Sequence, residues 1–470
     1  MASEILQLAE LISSSAKTLI ENARKDNVTL PDLNDPFTIP SEAFRGNPES
    51  ALAANVIVAA ASQLATAVGP PPLSIFTMVA GHFRSAALRV CLELNVTEIL
   101  REAGPQGLHV DDIAARAGVD SMKLGRLMRM ISNQNVYREL TPNIFANTRL
   151  SSVLDTGKSV EEIQAHPENK HEGTMGFVAL AEHSLGDAHK LSAFVLENLK
   201  DPKTAMSDEP NCAPFNRVFD VHVPLWEWYE RPENSYRRRR FAVAMHGIGL
   251  MQPPDTLLKD GAKVVDIGGG IGTSSLQIAR AFLKVKTIVQ DFPEVVAQAK
   301  TLWSKEYPEA LSSGRAEFQA HNFFTPQPVK DASVFVLKQI MHDWADPYAS
   351  KILTELRKVA LPDTRLLVVD NIVAYACHDP TYSNNNRIPG AAAKDAPVPL
   401  LANFGAANEL SYSIDMLMLV YLNSQERALG HLTRLFESNG WRIIRAHRAD
   451  PPSNFYEPVV AIPIPGFRFE

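Results

Sequence analysis

Residues 264–274 read Val-Val-Asp-Ile-Gly-Gly-Gly-Ile-Gly-Thr-Ser, an apolar run that breaks into a glycine-rich turn and opens a helix. Glycines at 268, 270 and 272 remove side chains where backbone must approach a ligand, and a helix from about Thr273 to Phe282 offers unpaired N–H groups at its start. The next strand, Val285 to Gln290, runs into Asp291, about 20 residues past the turn, where a carboxylate can accept both hydroxyls of a ribose. Three further strands each end in polar groups. Asn322 and Phe323 follow one and could bracket an adenine, Lys338 and His342 follow another, and Asp370 closes the last. Ligands of open α/β sheets gather at such carboxyl ends.

From about Asp260 strands and helices alternate: strands 264–267, 285–290, 316–320, 332–337 and 365–369, and helices 273–282, 293–306 and 347–360. That order predicts a mainly parallel sheet covered on both faces. A helix over 425–438 and two strands, 441–446 and 459–463, predict an antiparallel edge hairpin at the end. The N-terminal third reads as helical. Ile5, Leu8, Leu11, Ile12, Ala16, Leu19 and Ile20 form a stripe that needs a partner surface, Ala51 to Val68 reads as a buried helix and not a membrane span, and Phe76 to Leu100 reads as another apolar helix. Between 107 and 154 a helix, a turn, a second helix and a short hairpin give a winged-helix pattern. The second helix carries Lys123, Arg126 and Arg129, but the acidic chain favours a structural wing over a DNA reader. Arg237 to Arg240 point to different sides of a helix, which favours a solvated or ion-paired face. Residues 375–408, rich in Asn, Pro and Ala, are expected to be a lid or disordered.

Position 273, where a dinucleotide fingerprint places its third glycine, is Thr, so the turn resembles motif I of class I S-adenosylmethionine (SAM)-dependent methyltransferases. With Gln-Asp-Phe-Pro at 290–293, His-Asn-Phe-Phe at 321–324 and Leu-Lys-Gln-Ile-Met-His-Asp-Trp at 337–344, the chain from about 80 to 465 resembles the small-molecule O-methyltransferases of plant and fungal secondary metabolism, of the caffeate and sterigmatocystin type. The resemblance implies a Rossmann-like α/β methyltransferase domain over 246–470. Before it, over 1–245, it implies a mainly helical dimerisation region with the winged helix at about 80–155, the whole forming an intertwined homodimer. It implies SAM as cofactor, S-adenosylhomocysteine as product, and no metal. Asp266, Gly268, Gly270, Asp291, Phe292, Asn322, Phe323 and Lys338 would then hold the cofactor, with Asn322 standing where relatives have Asp. His342 would be the general base, Asp370 its carboxylate partner and Glu426 a second acidic residue opening the late helix. Met175, Phe215, Trp226, Met245, Asp415 and Met416 lie on segments that line the family's acceptor pocket.

The chemistry fits. A phenol with a pKa of about 10 is mostly protonated at neutral pH, whereas a sulfonium methyl needs an oxyanion-like nucleophile in line with the C–S bond. A histidine can take that proton while a carboxylate on its other nitrogen fixes the tautomer. Two other readings compete: the same fold catalysing pericyclisation or dehydration with SAM retained or unused, and a winged-helix regulator, which leaves the cofactor motifs unexplained.

At 470 residues and 45% hydrophobic content the chain has room for two or three domains with sizeable cores. Its net charge of −7 gives no broad attraction to nucleic acid or an anionic membrane. Cys91, Cys212 and Cys377 are far apart and lack metal-ligand spacing, and no basic-then-apolar run opens the chain, so a reducing, cytoplasmic compartment is expected.

Overall fold

The computed structural model describes residues 3–249, 261–379, 388–392, 394–448 and 457–469, with backbone alone at 246–249. The chain divides into two compact units, Met1–Ala193 with Trp226–Ile248, and Phe194–Leu225 with Gly249–Glu470. A single boundary at 245/246 therefore misplaces residues 194–225. They lie with the second unit because the Asn423 amide donates to the carbonyls of Ser207 (2.7 Å) and Glu209 (3.0 Å), and the Tyr348 hydroxyl donates to the Glu209 carboxylate at 2.7 Å.

In the first unit the amphipathic helix Glu4–Lys25 packs on the helix Pro48–Val68. Proline suits the first turn of the latter, where its missing N–H is no loss, and the Asn47 side chain caps it by accepting from the N–H groups of Glu49 and Ser50. By length and composition this helix could cross a membrane; here Ala53, Ala54, Val56, Ala59 and Ala60 are buried. The single helix expected over 76–100 is instead three: Pro71–Val79, Gly81–Glu93 and Val96–Ala103. The chain turns at Ala80, just ahead of Gly81, and again at Asn95, which adopts the left-handed conformation (φ 55°) that asparagine tolerates. Apolar periodicity runs through both breaks and so conceals them. The helix Pro71–Val79 buries none of its residues, leaving Leu73, Ile75, Phe76, Met78 and Val79 exposed.

The winged helix is present. Helices Val110–Ala117 and Ser121–Ser132 accompany strands β1 (Leu108–His109), β2 (Tyr137–Thr141) and β3 (Ile144–Asn147) in the order β1-β3-β2. Cys91, Ile99, Ile113, Leu124, Met128 and Phe145 make its core. Arg129 is engaged by Glu139 on β2, donating to both carboxylate oxygens. The arginine run lies on the helix Ser235–Gly249 and is largely ion-paired: Arg238 with Glu230, Arg237 with Asp187, and the buried Arg240 with both Glu182 and Asp187. Glu182 also accepts from His171 (2.7 Å) and the Tyr236 hydroxyl (3.0 Å), while Asp187 sits on a π-helical turn, Ser184–Ala188.

The second unit is built on one seven-stranded sheet: β4 (Lys263–Ile267), β5 (Lys286–Asp291), β6 (Ala316–Ala320), β7 (Val334–Lys338), β8 (Arg365–Asp370), β9 (Trp441–Ala446) and β10 (Glu457–Pro463). Their order is β6-β5-β4-β7-β8-β10-β9, with β4 to β8 parallel and the β9–β10 hairpin antiparallel. Alternate residues serve opposite faces. Val265, Ile267, Phe335, Leu337, Leu366 and Val368 pack with Leu432, Phe436 and Trp441 on one side, while Val264, Val334, Val336 and Leu367 pack with Ile278 on the other. The direction of winding reverses between β4 and β7, opening a crevice at their carboxyl ends.

Two expectations near the C-terminus need correction. The late helix begins at Leu429 and not at 425, so Glu426 lies on an extended segment that bridges to Ile372. The segment 375–408 is not disordered in its described part: Ile388, Ala391, Ala396, Leu400 and Phe404 are buried, and Ala446 N–H donates to Pro389 O at 3.0 Å. Residues 380–387 and 393 lie outside the described residues. A helix not expected from the sequence, Glu409–Leu422, follows.

Candidate active site

The β4 turn is shaped for a ligand. Gly268 and Gly272 take φ values of 65° and 78°, and a Cβ would come within 2.6 Å of Ile340 at the first and 2.8 Å of the Trp303 indole nitrogen at the second. Only glycine fits either place. A Cβ on Gly270 would meet nothing within 4 Å, so this turn faces open space. Neighbours brace it: Trp303 Nε1–H donates to Ile271 O (3.2 Å), and the Ser275 hydroxyl donates to buried Asp266 (2.7 Å). Asp291 accepts from the N–H groups of Gly270 (2.8 Å) and Phe292 (2.7 Å), one on each oxygen. Burial raises its pKa and these two bonds oppose that. Lys338, at the end of β7, donates to the Ser274 hydroxyl at 3.0 Å; burial lowers its pKa and nearby Asp266 opposes the drop. Phe323 stands edge-on to Phe324 and Trp344, with ring centroids 4.8 and 5.9 Å away, and lies against Gly268. Phe292 is half-exposed, and Asn322 is exposed with its side-chain oxygen accepting from the Phe324 N–H (3.0 Å) within its own turn.

After β7 the chain passes through Gln339 at φ 56°, held by its N–H to Val369 O (3.0 Å), and delivers His342 into the interior. The segment 424–427 is locked over it. Ser424 donates to His342 O (2.6 Å), and Arg427 donates to Met341 O (2.7 Å), Trp344 O (2.6 Å) and Asp346 (2.9 Å). This places Glu426 Oε1 2.7 Å from His342 Nδ1. Asp370, expected as the histidine's direct partner, makes no such bond: both its oxygens are buried and accept no hydrogen bond among the described residues. An aspartate is one methylene shorter than a glutamate, and Glu426 has the reach. Asp343, whose carboxylate lies 3.4 Å from His342 Nε2, was given no role by the sequence although it adjoins the histidine in the same motif.

Burial works against charge on His342, Asp343 and Asp370, and the attraction between the imidazolium and the carboxylates opposes it. Burial lowers the His342 pKa, but Glu426, Asp343 and Asp370 outweigh it and carry the imidazole up to about 10. Burial raises Asp343 to about 7 and Asp370 to about 6, both restrained by the histidine's charge.

The six acceptor-side residues fall in both units. In the second, Phe215 is fully buried against Phe219 on the helix Pro214–Phe219, a core position, Asp415 accepts the Glu426 N–H at 2.7 Å, and Met416 is exposed. In the first, Met175 is exposed, Trp226 packs with Phe241 and Tyr229, and Met245 is partly buried on the helix Ser235–Gly249.

A glycine cradle at the reversal of a parallel sheet, with a clamped histidine on the neighbouring strand end, matches what comparison with known proteins finds. Residues 198–389 match the model of an O-methyltransferase domain, and residues 76–157 that of an O-methyltransferase dimerisation domain. A 4-O-methyltransferase of Phanerochaete chrysosporium is 42% identical over 98% of this chain and 100% of its own length, and an O-methyltransferase of Armillaria gallica is 39% identical over 94% and 95%. Among solved structures, a pericyclic reaction enzyme superposes with a TM-score of 0.66 at 16% identity over 97% of this chain and 100% of its own. A mitomycin 7-O-methyltransferase does so with 0.60 at 20% over 84% and 98%; at such identities the likeness is one of fold. With glycine turn, sheet order and whole-length relatives in agreement, the chain belongs to the O-methyltransferase family, enzymes that take their methyl group from SAM.

Proposed function

We propose that this enzyme methylates a hydroxyl of a phenolic or polyketide-type aromatic small molecule, with His342 as general base. The observation that carries the reading is the 2.7 Å bond between His342 Nδ1 and Glu426, which fixes the orientation and tautomer of a buried imidazole at the strand end beside the glycine cradle. The cradle residues fit SAM: open space over Gly270 would admit the ligand, the Asp291 carboxylate bonded to the Gly270 N–H would take the ribose hydroxyls, and the Phe323 ring would flank the adenine. When bound, SAM supplies an electrophilic methyl group. The chain positions the acceptor oxygen in line with it, removes the hydroxyl proton through His342 and keeps the resulting imidazolium beside Glu426. The names of the Phanerochaete relatives, a 4-O- and a 3-O-methyltransferase, support oxygen as the methylated atom.

The test is incubation of the purified enzyme with SAM and a panel of phenols, following S-adenosylhomocysteine and methyl ethers by mass spectrometry. Conversion of a substrate without consumption of SAM would replace this reading with pericyclic chemistry on the same fold. The exposed helix Pro71–Val79, adjoining the matched dimerisation segment, supports a homodimer as the working form.

A further inference from the structure

His342 has a carboxylate at each ring nitrogen: Glu426 2.7 Å from Nδ1 and Asp343 3.4 Å from Nε2. A ring that can donate at both ends is best satisfied as an imidazolium. Asp370 adds a third negative charge felt by the ring, and Asp415 joins the cluster by accepting the Glu426 N–H. The cation set among these carboxylates is Arg427, whose guanidinium is engaged by Asp346 and the carbonyls of Met341 and Trp344. The resting pocket therefore holds a proton on the group that must accept one, and its pKa near 10 says the same.

Building on the methyl-transfer reading, we infer that His342 rests as an imidazolium held between Glu426 and Asp343 and gives up its proton when a sulfonium cation binds beside it, so that cofactor binding arms the base. Methyl transfer to a hydroxyl bonded to Nε2 requires the two positive charges to be neighbours. For unit charges about 5 Å apart in an effective dielectric of about 20, the mutual repulsion shifts a protonation equilibrium roughly a hundredfold. That brings a group of pKa about 10 within reach of working pH.

The cycle then balances. The phenol O–H proton passes to Nε2, the oxygen forms the O–CH3 bond, and the S–CH3 bond breaks with its electron pair left on sulfur as a neutral thioether. With the positive charge on sulfur gone, the carboxylates again favour the imidazolium, and His342 keeps the substrate's proton until the next sulfonium binds. S-adenosylhomocysteine, uncharged at sulfur, leaves His342 protonated.

Titration calorimetry at pH 8.5, in buffers of different ionisation heat, counts the protons exchanged on binding. Wild type should release about three-quarters of a proton more with SAM than does His342→Gln, and the two should agree with S-adenosylhomocysteine. Equal proton counts for SAM in both proteins would overturn the inference while leaving the methyltransferase reading intact; failure of wild type to bind SAM would bring down both. Should His342→Gln not fold, wild type alone decides. Its affinity for SAM relative to S-adenosylhomocysteine should rise several-fold from pH 7 to 9; both ligands carry an α-ammonium of ordinary pKa about 8, so its loss weighs on both and largely cancels in the ratio. A flat or falling ratio overturns the inference.

Discussion

His342 Nδ1 and Glu426 Oε1 meet at 2.7 Å across 84 residues of sequence, while Asp370 at the end of β8 makes no such bond to the ring among the described residues. The two carboxylates therefore differ in kind: Glu426 orients the ring, and Asp370 acts on it by charge alone.

His342→Ala should lower turnover by roughly 100-fold or more and leave SAM affinity nearly unchanged, because the cradle contacts lie elsewhere. Partial recovery at high pH is expected, where the phenol ionises without help. Glu426→Gln should cost more than Asp370→Asn, since only the former disturbs a bond to the ring. Initial rates for the three variants, with calorimetric SAM affinities, check this; wild-type turnover in His342→Ala at pH 7 would contradict the base assignment.

The cradle predicts a second result. SAM and S-adenosylhomocysteine should raise the melting temperature and NAD should not. Asp291→Ala should remove most of that shift. It deletes the acceptor that holds the Gly270 and Phe292 N–H groups and, on the proposed reading, the carboxylate that would take the ribose hydroxyls. Gly272→Ala should do the same for another reason, as its methyl would run into the Trp303 indole. Thermal melts with each ligand decide.

Much of this site was legible before any coordinates, and what was hidden has a physical pattern. Strand ends are marked by local chemistry, so Asp266, Asp291, Lys338 and Asp370 fall where the alternation of strand and helix puts them. Partner choice is not local. Whether Glu426 or Asp370 reaches His342 depends on Arg427 capturing two carbonyls more than 80 residues earlier, which pulls 424–427 out of the expected helix. Apolar periodicity likewise continued through Ala80 and Asn95, and the helix Glu409–Leu422 was concealed behind the Pro- and Ala-rich segment before it.

The helix Pro71–Val79 carries a third prediction. Phe76 and Met78 are 69% and 78% exposed, amid Leu73, Ile75 and Val79, an apolar surface that costs free energy in water. A second copy is the expected cover, given the matched dimerisation segment beginning at 76. Light scattering at micromolar protein should give twice the chain mass of 51.7 kDa. Phe76→Asp with Met78→Asp should shift it towards one chain; a monomer mass for wild type would refute the dimer.

Acid sensitivity of the first unit should trace to His183. This residue closes the helix Phe177–His183, is 4% exposed and sets its ring edge-on to Phe241 at 5.5 Å. Burial, and then the charge of Arg240, disfavours its protonated form, so its pKa falls to about 4 although Asp187 pulls the other way. An unfolded chain has this group at about 6.5 and takes up a proton first as the pH falls. The stability from neutral His183 is thus whole above about pH 6.5 and is lost progressively towards pH 4, reaching about 2 kcal/mol by pH 5. Its neighbour Glu182 works in a lower window. Burial raises that carboxyl, but His171, Lys170 and Arg240 together hold it at about 2, so its contribution is present above the ordinary carboxylate range and is lost only below about pH 4. Between pH 7 and 5 the two effects separate. Calorimetric melts should show the first unit losing several degrees over that interval in wild type and distinctly less in His183→Gln, whose side chain does not titrate. An equal fall in both would place the acid sensitivity on another group.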